Sequence, residues 1–157
     1  MAITFKQTPA SYAVGRRVNA EEWNTISRTL QGTTAVGFGV PVIAHASIRK
    51  SCGPLTAAAQ TVLGITEADV TLPHTGDNYQ QYDTVAICEV GVIAVKILDP
   101  VVKGAQARFD VTNQGWTDAA ASATVLTIPG AYFDEAGAAA NDLVPLRYRR
   151  IAPSLSA

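Results

Sequence analysis

The chain is poor in the residues that most chemistry needs. It has two cysteines, two histidines, one methionine and two tryptophans in 157 residues, and only 16% of it is charged. Cys52 and Cys88 are far apart and form no CxxC pair, so two free buried thiols are expected rather than a disulfide framework or a thiol–disulfide centre. His45 lies in an apolar run and His74 in a polar loop, and neither has a partner at HExxH or zinc-finger spacing. A structural or solvated role fits each better than catalysis. No GxSxG elbow is present, and Gly37 and Gly39 in VGFGV make only a fragment of a phosphate loop. Asp77, Asn78 and Asp83 lack the ligand order of a calcium loop, and the adjacent Asp134 and Glu135 read as a solvated turn. These gaps point away from an enzyme and imply no metal and no cofactor.

Long hydrophobic runs are missing too. The N-terminus, Met-Ala-Ile-Thr-Phe-Lys, has no signal-peptide core. Residues 29–48 carry no charge, but Gln31, Thr33, Thr34, Pro41 and several glycines interrupt them, so a membrane span is not expected. The formal net charge of −1 gives no electrostatic case for nucleic acid. Charge is nevertheless unevenly placed. Residues 1–50 hold six cations against two anions, residues 51–142 three against eleven, and residues 143–157 three arginines and no acid. The basic ends either fold against the acidic middle or offer a basic surface to an acidic partner.

What the chain has in quantity is β-branched side chains. Val, Thr and Ile total 42 residues, and these types favour a pleated, half-buried surface. Short runs separated by turn residues recur at the spacing of a sandwich or barrel. They are 35–44, 61–65, 82–88, 92–98, 107–111, 124–128, 131–133 and 143–149, with Gly91 reading as a break between the third and fourth. Pro41 favours an edge or a bend. One segment reads as helical: Asn19 as a cap, Glu22 three residues on, and Trp23, Ile26 and Leu30 along one face, with Gly32 to stop it. The expected architecture is mainly β, an antiparallel barrel or sandwich with an extended N-terminal arm and one short helix. Residues 1–34 would form the arm and helix, and 35–157 the β domain. Scattered aromatics such as Tyr79, Tyr82, Trp116, Tyr132 and Tyr148 are assigned to core and subunit contact before any stacking role.

Several segments, in order, resemble the structural cement, or capsid decoration, proteins of tailed bacteriophages. They are Asn24–Arg28 followed by Gly37-Phe38-Gly39-Val40-Pro41-Val42, then Leu63-Gly64-Ile65 leading to Asp69, and Tyr82-Asp83-Thr84-Val85-Ala86-Ile87. Val101-Val102-Lys103-Gly104-Ala105 follows, and Ile128-Pro129-Gly130-Ala131-Tyr132-Phe133 with Leu143–Arg147 closes the series. The sequence departs from the family's turns at Thr84 and Ala105. The resemblance implies no catalytic residues. It implies a virion protein, made in the host cytoplasm, that binds the major capsid protein on the outer shell across subunit junctions. A homo-oligomer, a trimer above all, is expected with it. The expected contact residues are Lys6, Arg16 and Arg17 of the basic arm, with Trp23 and Arg28. A head–tail or tail component is the nearest alternative, and a small ligand- or carbohydrate-binding barrel the next.

Overall fold

Alternation of apolar and polar residues in short runs is resolved here into eleven strands. In the computed structural model, which describes residues 12–72 and 76–151, they are β1 (Asn24–Leu30), β2 (Val36–Gly37), β3 (Pro41–Ala44), β4 (Ser51–Pro54), β5 (Val62–Thr66) and β6 (Asn78–Tyr79). There follow β7 (Thr84–Lys96), β8 (Gln106–Asp110), β9 (Gly115–Thr117), β10 (Val125–Phe133) and β11 (Leu143–Arg149). Nine of them form one sheet in the order β1-β4-β3-β5-β7-β11-β10-β8-β9, and β2 and β6 pair separately. All ladders are antiparallel except β1 with β4.

The sheet closes twice. β1 pairs with β7 as well as β4, which completes a five-stranded barrel of β1, β4, β3, β5 and β7. The far half of β7 carries β11, and the sheet runs on through β10 and β8 to β9. There Trp116 meets the end of β7: Leu98 N–H donates to Trp116 C=O at 2.8 Å. A second ring therefore forms, and β7 belongs to both. Closure removes the open edges that would otherwise recruit another chain.

The expected helix over 19–30 is absent, since residues 24–30 are β1. Ile26, Arg28 and Leu30 share the inward face with period two, and the β-branched Thr25, Ile26 and Thr29 suit a strand. The same apolar residues also fit helical spacing, and the ladder to β7, six registered pairs long, decides between the two. The Asn19 side chain caps only a local turn, accepting from Glu21 N–H at 3.2 Å. Gly91 does not break the chain either: β7 is continuous through it. At φ +151° it leaves room for the Trp23 ring, which a Cβ there would strike at 2.2 Å. A second glycine, Gly130 (φ +80°), makes a bulge in β10, and its missing Cβ would stand 2.1 Å from the Arg149 carbonyl oxygen. Pro41 is the first residue of β3, where its lack of an N–H is tolerated.

One apolar core runs through both rings, with Leu30, Val42, Ile65, Ile87, Ile93, Trp116, Phe133 and Leu146 fully buried. Trp116 ties the rings together. Its indole N–H donates to the buried Gly39 carbonyl at 2.7 Å, and its ring meets Phe109 edge-on at 5.4 Å. Phe38 and Tyr79 make a similar edge contact at 5.2 Å. Cys52 and Cys88 are free and buried, and burial pushes their thiols up to about 11 and about 12.

Candidate functional site

The cations named from sequence do not gather at one place. Lys6 lies outside the described residues. Arg16 and Arg17 sit on a segment laid along the far half of β7. Gly15 N–H donates to Ala94 C=O (2.8 Å), Ala94 N–H to Arg16 C=O (2.9 Å), and Val18 N–H to Val92 C=O (3.0 Å). Ala68 N–H donates to Gly15 C=O at 2.8 Å. Residues 15–18 are thus packed on their own β domain, and Arg16 remains exposed beside Asp69.

Arg17 and Trp23 do come together. The guanidinium carbon stands 5.3 Å from the indole centroid, within cation–π range. Its N–H groups donate to the carbonyls of Asn19 and Glu21, each at 2.7 Å. The Trp23 indole N–H donates to Thr25 Oγ1 (2.8 Å), whose hydroxyl donates to Glu67 Oε1 (2.5 Å). Burial raises the Glu67 carboxyl above its ordinary range, while the hydrogen bonds and the Arg17 charge pull it back. This cluster fixes the chain before β1 against β5 and β7. Arg28 lies elsewhere, five residues further along β1 than Trp23 and so about 16 Å away along the strand.

The arginines at the other end of the chain are spent on its acids. Arg147 bridges Glu21 and Asp134, the latter at 3.2 Å, Arg149 pairs with Glu22, and Arg150 pairs with the mostly buried Glu89. Glu135 accepts a long hydrogen bond from the Tyr12 hydroxyl at 3.4 Å. Arg108 donates to the carbonyls of Asp118 and Ala119, both at 2.9 Å. Arg147 and Arg150 are thus paired with acids of the middle stretch, Asp134 and Glu89, and Arg147 and Arg149 with Glu21 and Glu22, the two acids of the N-terminal stretch.

His45 follows β3, half-buried, and its Nδ1 accepts from Ser47 N–H at 3.3 Å; His74 lies outside the described residues. Asp83 Oδ2 accepts from Gln80 N–H at 2.7 Å. Among the described residues no three His, Cys, Asp or Glu side chains gather as metal ligands would. Of the aromatics singled out in the sequence, Tyr79, Trp116 and Tyr148 are core, and Tyr82 and Tyr132 are exposed.

Sequence reasoning passed over the β3–β4 hairpin tip, His45 to Lys50. Its cations Arg49 and Lys50 are exposed, and neither pairs with an acid among the described residues. The available signal was a lone Ile48 beside an Arg-Lys pair in a polar loop.

A mainly β body with twin rings sharing a strand is a fold found in the phage capsid. The chain resembles one from "The capsid of Myoviridae Phage XM1" with a TM-score of 0.72 at 17% identity, over 97% of this chain and 100% of that one. No curated protein matches. Residues 1–149 match the structural cement protein family (E217 gp24/Pam3 gp6), and the chain belongs to that family. It is therefore a structural protein of the phage virion that associates with capsid protein.

Proposed function

We propose that this chain binds the outer face of the capsid shell across subunit junctions and holds those junctions closed. The family match over residues 1–149 carries the reading. The double ring supports it, because a body with closed edges transmits load between neighbouring subunits without rearranging itself. A shell under internal pressure needs such ties, and several weak contacts on one decorating particle act at high effective concentration. The particle is a homo-oligomer, a trimer at a threefold position. Its charged fraction is 16%, and Val70 and Val102 are 77% and 66% exposed, which suits permanent protein contact. The segment ahead of Tyr12, with Lys6, acts as a clamp on the shell or on a neighbouring protomer.

The test is addition of purified protein to expanded, undecorated capsids. Saturable binding at a fixed copy number, with a raised temperature of shell disruption, is the expected result. Binding without saturation, or no gain in shell stability, overturns the reading. Light scattering of the free and the released protein should report three protomers, and a monomer in both states would refute the oligomer.

A further inference from the structure

We propose that the β3–β4 hairpin tip is the surface that meets the shell, and that its partner is an acidic protein patch with an apolar recess. This rests on the function proposed above and names the face and the chemistry through which it works.

Three observations converge on this tip. The first is unspent charge. Arg147, Arg149 and Arg150 are paired with carboxylates, and Arg17 and Arg108 are committed to backbone carbonyls. Arg49 and Lys50 have no such partner among the described residues, and Arg28 donates only to the Ser27 carbonyl, at 2.8 Å. The tip runs alongside β1, since Thr29 N–H donates to Lys50 C=O at 3.1 Å. Arg49 and Lys50 make the tip locally positive on a chain of net charge −1.

The second is exposed apolar surface at the same place, for Ile48, next to Arg49, is 45% exposed. Arg is among the side chains that carry interface energy most often, and an apolar residue beside it fills a recess.

The third is that this surface is held in place. Lys50 (φ +57°) adopts left-handed backbone that residues with a Cβ avoid, and such strain collects at functional positions. The tip is laced by the Ser51 hydroxyl donating to Ile48 C=O (2.5 Å), His45 N–H to Ser51 C=O (3.1 Å) and Ser47 N–H to His45 Nδ1 (3.3 Å). A tip already ordered loses little conformational entropy on docking. Val102 and Lys103, beyond the far end of β7, are exposed but form no comparable cluster.

The test compares five proteins on expanded, undecorated capsids at low and at high salt: wild type, the double variants Arg49→Glu/Lys50→Glu and Arg49→Gln/Lys50→Gln, Ile48→Ser and Lys103→Glu. The charge-reversed double variant should bind about tenfold more weakly or worse and lose the salt dependence of the wild type. Ile48→Ser should weaken binding and keep that dependence. Lys103→Glu should bind as wild type. The pair Arg49→Gln/Lys50→Gln removes charge without reversing it and should fall between wild type and the reversed form, with its melting temperature unchanged. Equal binding by wild type and both charge variants overturns the proposal while leaving the function intact, and so does loss confined to Lys103→Glu. A wild-type protein that binds no shell overturns both. Capture of duplex DNA through Arg49 and Lys50, with shell binding unaffected, would also overturn it.

Discussion

Trp116 offers a sharp test of how the two rings are joined. Replacing it with Phe keeps an aromatic ring against Phe109 but deletes the indole N–H that satisfies the Gly39 carbonyl at 2.7 Å. Both groups are buried, and Trp116 is 1% exposed, so water cannot take the donor's place. An orphaned buried acceptor costs about 1–3 kcal/mol. The smaller ring leaves unfilled core worth about 1–2 kcal/mol more. The sum, about 2–5 kcal/mol, corresponds to a fall of roughly 10 °C in melting temperature for a domain of this size. Trp23→Phe is the internal control, since it makes the same chemical change where the indole N–H meets an exposed Thr25 hydroxyl. Water can replace that donor, and the loss should stay under about 1 kcal/mol. Urea unfolding of both variants, at one fixed protein concentration because association shifts apparent stability, gives the comparison. Equal losses at the two tryptophans would refute the account of Trp116 as the tie between the rings.

Other outcomes follow from the same coordinates. Gly130→Ala should cost roughly 2–4 kcal/mol in chemical denaturation, because the added Cβ meets the Arg149 carbonyl oxygen in a left-handed backbone. With thiols pushed up to about 11 and about 12, Cys52 and Cys88 should resist alkylation at mildly alkaline pH until the chain unfolds. Reducing agent should leave the melting temperature unchanged, as both are free. Glu67 binds its proton more tightly in the folded chain than in the unfolded one, whose value is near 4.5. Its contribution to stability is complete below that value and is lost as pH rises through the raised folded value. Glu67→Gln should therefore flatten part of the decline in melting temperature from mildly acidic to neutral pH, and a steeper decline would contradict the burial of that carboxyl.

The last strand shows what a sequence can reveal. Toward the end of Leu143–Arg149 apolar and charged residues alternate, and all seven residues pair with β7 in unbroken register. Trp23, Ile26 and Leu30 satisfy two periodicities at once, and only the distant ladder to β7 selects the strand. Gly91 misled for the same reason. A glycine between two apolar runs marks a turn more often than a seat for a tryptophan 68 positions away in sequence, and nothing local distinguishes the two. Of the surface residues named in advance as contacts, Arg17 and Trp23 are turned toward each other by the fold. Whether a cation is free depends on acids brought close by folding, as Glu21 and Glu22 are to Arg147 and Arg149. That information is absent from any local pattern, and it is why the hairpin tip went unnoticed.

Sharing β7 between two rings also sets an order of assembly. All strands of the first ring lie within residues 24–96, so it can close once β7 has left the ribosome. At that moment Val92, Ile93, Ala94 and Val95 project from the finished ring with a hydrogen-bonding edge still open. Residues 15–18, already synthesised, cover one side of it. The other side waits for β11, more than forty residues later, and the second ring cannot close before then. The nascent chain therefore passes through a stage with an apolar, half-paired strand exposed, the species most prone to join a second copy wrongly. Closing loops of that length makes folding slow for a chain of this size. A particle that needs many copies at once depends on how quickly the last strand arrives.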